Sequence, residues 1–145
     1  MENKNEEELR RLSVEMRLLE QTAEALQARH NMVNTVITDL TVANMTLEGL
    51  EKEKENAELL IPIGGTSYIK AKLANTEKVT VGVGAGVSVE KTLPEAKEIV
   101  KNRLVELEKT RLALQQQFSQ VAEKMNDNKE RFEALVAVVR GEKAQ

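Results

Sequence analysis

The sequence predicts an α+β chain: a long antiparallel two-helix coiled coil whose helices are joined by two β-hairpins, through which subunits oligomerise. Three observations lead there. Apolar residues recur at spacings of three and four towards both ends of the chain, and five of its seven glycines fall in the middle. Aromatic residues are only 2% of the 145 residues, namely Tyr68, Phe118 and Phe132. Charged residues make up 31%, a profile that suits long amphipathic helices better than a packed sphere.

The first helix is expected over residues 1–57. From Leu9 to Leu47, one seam row reads Leu9, Met16, Ala23, His30, Ile37 and Asn44, and the other Leu12, Leu19, Leu26, Val33, Leu40 and Leu47. Ten of these twelve are apolar, a sustained heptad signal for a coiled coil. Asn5 with Glu8 three residues on reads as a cap and its reciprocal partner. Gly49 marks bending or the approach of the helix end, and the Glu51–Glu55 alternation of Glu and Lys reads as a solvated helix face.

Residues 58–93 change period. Val79, Val81 and Val83 alternate with Lys78, Thr80 and Gly82, which is strand spacing. Four strands are expected, Leu59–Ile63, Ser67–Leu73, Val79–Val83 and Val87–Lys91. Gly64-Gly65, Asn75-Thr76-Glu77 and Ala85-Gly86 supply the turns.

The second helix is expected over 94–140, with 141–145 as a tail. Thr92 and Glu95 fit a capping box, and Pro94 sits in the first turn, where its missing N–H costs little. The seam runs Val100, Leu104, Leu107, Arg111, Leu114, Phe118, Val121, Met125, Asn128, Phe132, Leu135 and Val139, again ten of twelve apolar. Arg140-Gly141 reads as a stop signal.

Neither seam can bury itself alone, and folding back buries both. An even number of strands returns the chain in reverse, so four strands suit an antiparallel pair with both termini at one end. Intermolecular or parallel pairing is the competing arrangement. The 36-residue insert is too small to hold a core of its own, and its open edges invite another chain. The whole is expected to act as one domain, residues 1–145, with an arm and an assembly hub. The hub residues are Ile61, Ile63, Tyr68, Ile69, Leu73, Val79, Val81, Val83, Val87 and Val89.

The insert reads Pro62-x-Gly64-Gly65-x-Ser67-Tyr68 and Val81-Gly82-x-Gly84-Ala85-Gly86. With these motifs between two coiled-coil helices, the chain resembles the prefoldin family, of the archaeal alpha-subunit type. The resemblance implies a hexamer of two alpha and four beta subunits, with the hairpins building a β-barrel hub. It implies an ATP-independent holding chaperone without a cofactor, whose partners are prefoldin beta subunits, unfolded polypeptides held near the coiled-coil tips, and a group II chaperonin that receives them.

The candidate client-binding residues lie at the end of the second helix and opposite it. Val136 and Val138 fall outside the seam served by Leu135 and Val139, so they are expected to face solvent or a partner. Leu9 and Leu12 complete the patch or act as ordinary seam residues. One buried Val or Leu contributes roughly 1.5–3 kcal/mol, so grip would come from several tips acting together.

Other chemistry finds little support. His30 is the chain's one histidine and has no ligand partners; like Asn44, Arg111 and Asn128, it reads as a polar seam member that sets register. Gly82-x-Gly84-x-Gly86 is followed by Val87 and a strand pattern, not by the glycine and helix of a dinucleotide site. No catalytic constellation is identifiable, so no enzyme activity is expected. A net charge of −3 without a basic stripe argues against nucleic acid. The absence of cysteine excludes disulfides and thiolate chemistry. The first residues lack the apolar core of a secretory signal, and no apolar run approaches the roughly 20 residues of a membrane span, so a soluble cytoplasmic protein is expected.

Overall fold

A computed structural model of the chain describes residues 4–144. The elements follow in the order α1 (Lys4–Glu51), β1 (Glu58–Gly64), β2 (Ser67–Lys72), β3 (Lys78–Gly84), β4 (Val87–Thr92) and α2 (Leu93–Ala144). They form an α+β arrangement of two long helices and two antiparallel hairpins. The chain groups into two compact units. One comprises the residues up to Thr35 together with those from Lys109 onward, and the other is Val36–Glu108.

In the first unit, α1 and α2 run antiparallel along the expected seam. Leu12, Leu26, Leu114 and Val139 are buried, with Leu19, Val33, Val121 and Leu135 half-buried beside them. Polar contacts join the start of α1 to the last turns of α2. Asn5 Nδ2 donates to Glu142 Oε1 at 3.1 Å, Arg131 pairs with Glu8 at 3.1 Å, and Lys143 pairs with Glu6 at 3.8 Å. In the second unit, Leu40 and Leu47 of α1 form a core with Leu93, Ala96 and Val100 of α2. Val79 and Val81 of β3 pack onto that core. Each such leucine contributes roughly 1.5–3 kcal/mol relative to exposure.

The α2 start follows the expected capping logic. Glu95 N–H donates to Thr92 Oγ1 at 3.3 Å, and the Thr92 hydroxyl donates to Glu95 Oε1 at 2.9 Å. This satisfies one of the orphan amides of the first turn. The helix begins one residue before Pro94, with the Leu93 amide donating to the Glu77 carbonyl at 3.2 Å.

Three expected boundaries are corrected. Helix α1 ends at Glu51, not 57, so the Glu51–Glu55 run is not a helix face. Lys52 and Glu53 make tight three-residue bonds back to Gly49 and Leu50. Asn56 then adopts φ 67° and donates its amide to the Leu73 carbonyl at 2.7 Å, drawing the chain into the hairpin. Helix α2 passes through Arg140-Gly141 and continues to Ala144, so the expected tail is helical as far as described; Gln145 lies outside the described residues. A helical glycine costs about 1 kcal/mol relative to alanine. Burial of Val139 and the contacts of Glu142 and Lys143 with α1 oppose that cost. Asn5 is not the cap of α1, because the helix already includes Lys4; the capping position lies outside the described residues.

Candidate functional site

The hairpins repeat one another at an offset of 20 residues, Glu58 to Lys78. Glu58 pairs with Lys72 as Lys78 pairs with Thr92, and Ile61 pairs with Ile69 as Val81 pairs with Val89. Both registers shift just before the turn, at Gly64 and at Gly84. These glycines have φ near +106° and +109°, where a side chain is strained. The turns that follow, Gly65-Thr66 and Ala85-Gly86, hold positive φ at both residues. That backbone twist matches the right-handed twist of the flanking strands. The first turn therefore sits one residue later than expected. The Asn75 carboxamide oxygen accepts from the Glu77 amide at 2.7 Å and closes the link between hairpins.

The two hairpins differ in what covers them. Val79, Val81 and Val89 of the second are half-buried, whereas Val83 and Val87 are exposed. In the first, Ile61, Ile63, Tyr68 and Ile69 are all exposed, Ile63 at 65%, and Leu73 is half-buried. Leu60, 63% exposed, was not among the expected hub residues. Strand alternation puts it on the face opposite Ile61, across from Lys70 and beside the Pro62–Tyr68 pair. The first hairpin thus carries apolar side chains on both faces. A lone two-stranded hairpin is marginal in water, and contiguous exposed apolar surface marks an interaction site.

At the end of the helical pair, the expected patch divides. Leu12, 1% exposed, and Val139 are buried seam residues. Leu9, Leu135 and Val136 are half-buried, and only Val138, 48% exposed, stands open. The expectation that Val136 faces solvent is corrected: adjacent to Leu135, it shares part of the seam's cover. Val14 and Leu18 of α1, which the heptad reading left unassigned, are also exposed.

The polar seam residues behave unequally. Asn128 is buried, and His30 Nδ1 lies 3.3 Å from Asn34 Nδ2 within α1. Phe118, assigned to the seam, is only partly covered. It borders a groove that also holds Met125 and Phe132. The pattern that produces this groove, large residues facing alanines, was present in the sequence but needs the pairing of α1 with α2 to be read. Among the described residues there is no group of three His, Asp or Glu fit to hold a metal, and no helix is long and apolar enough to cross a membrane.

A family model described as a prefoldin subunit matches residues 19–137. The chain belongs to the prefoldin family. It is 36% identical over 119 residues to the prefoldin subunit alpha of Methanopyrus kandleri, covering 79% of this chain and 76% of that one. It is 36% identical over 125 residues to the prefoldin subunit alpha of Methanococcoides burtonii, covering 86% and 91%. Among solved structures, a filamentous prefoldin from Methanocaldococcus jannaschii superposes with a TM-score of 0.66 at 26% identity, covering 79% of this chain and 95% of that one. Prefoldin alpha subunits are chaperone-family proteins, and in this chain the first hairpin leaves Leu60, Ile61, Ile63, Tyr68 and Ile69 exposed. The match to the prefoldin family model stops short of Leu9, Leu12, Val138 and Val139.

Proposed function

We propose that the chain is the alpha-type subunit of an ATP-independent holding chaperone that captures unfolded polypeptides at its coiled-coil ends and hands them to a group II chaperonin. It would assemble through its hairpins with four beta-type subunits per pair of alpha chains, act in the cytoplasm as one module, and carry out no catalysis. The observation that carries this reading is the first hairpin, apolar on both faces and exposed along β1 and β2. Such a surface calls for cover by other subunits, and subunits joined there would present several helical ends to one client. Weak contacts at each end then sum through effective concentration and release one at a time.

A second reading is favoured by the filamentous neighbour: the hairpins pair with further copies of the same chain to make an open scaffold. Two assays separate them. The chain is mixed with a beta-type subunit, native mass reports stoichiometry, and light scattering follows a chemically denatured test protein diluted into the mixture. The expected results are a closed hexamer and suppressed aggregation. Val136→Ser with Val138→Ser should keep the hexamer and weaken protection. Full protection by this variant would remove the ends from the reading, and polymers of unlimited mass without protection would favour the scaffold.

A further inference from the structure

The unit built from residues up to Thr35 and from Lys109 onward contains an open groove of about 770 Å³ between its two helices. Phe118, Met125 and Phe132 line it along α2, each seven residues from the next, and they include both phenylalanines of the chain. Ala23 of α1 and Ala122 of α2 are too short to fill the space between these large side chains. The seam here is therefore bordered by a depression instead of closing knob into hole. Phe118 remains 38% exposed in consequence.

The rim is charged. Glu20 of α1 and Glu133 of α2 border the groove together with Lys129. Among the described residues none of the three is engaged in an ion pair. Two carboxylates against one ammonium give an apolar trough with a net acidic edge.

We propose that this groove binds an extended segment of an unfolded polypeptide that combines apolar side chains with at least one Arg or Lys. The proposal rests on the holding-chaperone reading and deepens it by naming a second contact surface and the segment chemistry that the surface prefers. Phe118 to Phe132 spans about 21 Å at the helical rise, which matches about six extended residues. Met125 and the phenylalanines offer soft, adaptable cover that accepts varied apolar side chains. A guanidinium can lie over the exposed Phe118 ring while reaching a rim carboxylate. Acidic rim groups also speed the encounter with a cationic segment.

The test uses the full chain assembled with a beta-type subunit. A photo-crosslinking residue replaces exposed Asn126 at the groove or, separately, Val138 at the helix end. The probes are two labelled 13-residue peptides with the same apolar residues, one carrying three Arg and the other three Glu. Asn126 crosslinking should favour the Arg peptide by about tenfold, the size expected from two exposed carboxylates. Glu20→Lys with Glu133→Lys should abolish or invert that preference while leaving the native mass and Val138 crosslinking unchanged. Equal labelling of both peptides at Asn126 would overturn the proposal, as would labelling only at Val138 or crosslinking of Asn126 to another subunit. Loss of peptide labelling at both positions would instead overturn the holding-chaperone reading on which it rests.

Discussion

Asn128 offers a direct measure of what the polar seam costs. Its side chain is 6% exposed in the α2 seam, and its Nδ2 finds no acceptor among the described residues. A buried donor left unpaired costs about 1–3 kcal/mol. Leucine removes that penalty and adds apolar burial of roughly 1.5–3 kcal/mol, against which fitting a branched side chain sets about 1–3 kcal/mol of strain. Asn128→Leu is therefore expected to stabilise the helical pair by about 2 kcal/mol. For a cooperative unit of 60–100 residues this raises the unfolding midpoint by roughly 10 °C. Circular dichroism at 222 nm on the full chain would report the shift. Asn128→Asp should move the midpoint the other way, because it places a charge at the same buried spot. An unchanged or lowered midpoint for Asn128→Leu would refute the reasoning, since it would mean that the amide is already satisfied in solution. The polar group also sets register, so the leucine variant should gain stability while forming more mispaired species by native mass.

Two other perturbations probe the hairpins and the helix ends. Gly84 has φ +109°, and no atom lies within 4 Å of the place a Cβ would take there, so Gly84→Ala meets strain but no clash; it should cost about 1–2 kcal/mol, seen as faster amide exchange in β3 and β4 with α1 unaffected. The Arg131–Glu8 pair spans the two helices at 3.1 Å with Arg131 mostly exposed, so a double-mutant cycle to glutamine should yield about 0.2–1 kcal/mol that disappears in 1 M salt.

Periodicity made the helices and strands legible because burial acts on side chains at fixed intervals. Leu12, Leu26, Leu40 and Leu47, chosen from spacing, are buried, and the strand assignments differ from the observed spans by at most a residue at each end. The boundaries were less legible because each depends on a distant partner. Asn56 leaves the helix to bond Leu73, and Gly141 stays helical beside Val139 and Glu142. The site divided in the same way. Exposure of Ile63 and Tyr68 followed from an insert too small to cover them. Leu60 was missed although Tyr68, on the same face, was assigned to the hub, because its cross-strand neighbour is the charged Lys70 and that pairing appears only in the folded register. The groove was missed because Ala23 and Ala122 matter only once α1 and α2 are paired.

The seam composition differs between the two units in a way that fits their proposed tasks. In Val36–Glu108, one polar residue, Asn44, interrupts the seam, and Leu40, Leu47, Leu93, Ala96 and Val100 form a continuous core beneath the second hairpin. The other unit carries His30, Arg111 and Asn128 in its seam, together with the small Ala23. Polar and small seam residues forgo apolar burial, so the seam of the hairpin-bearing unit is interrupted less often. An assembly hub has to hold one geometry, because each subunit must meet its neighbours in register. A surface that grips irregular chains gains from the opposite property, since low local stability lets side chains readjust around what they hold. His30, Arg111, Asn128 and the open groove occur in the same unit as Val138, the one exposed residue among the expected contacts at the helix end. A seam optimised for stability alone would have filled that unit with leucine, and it would have closed the groove that Phe118 and Phe132 border.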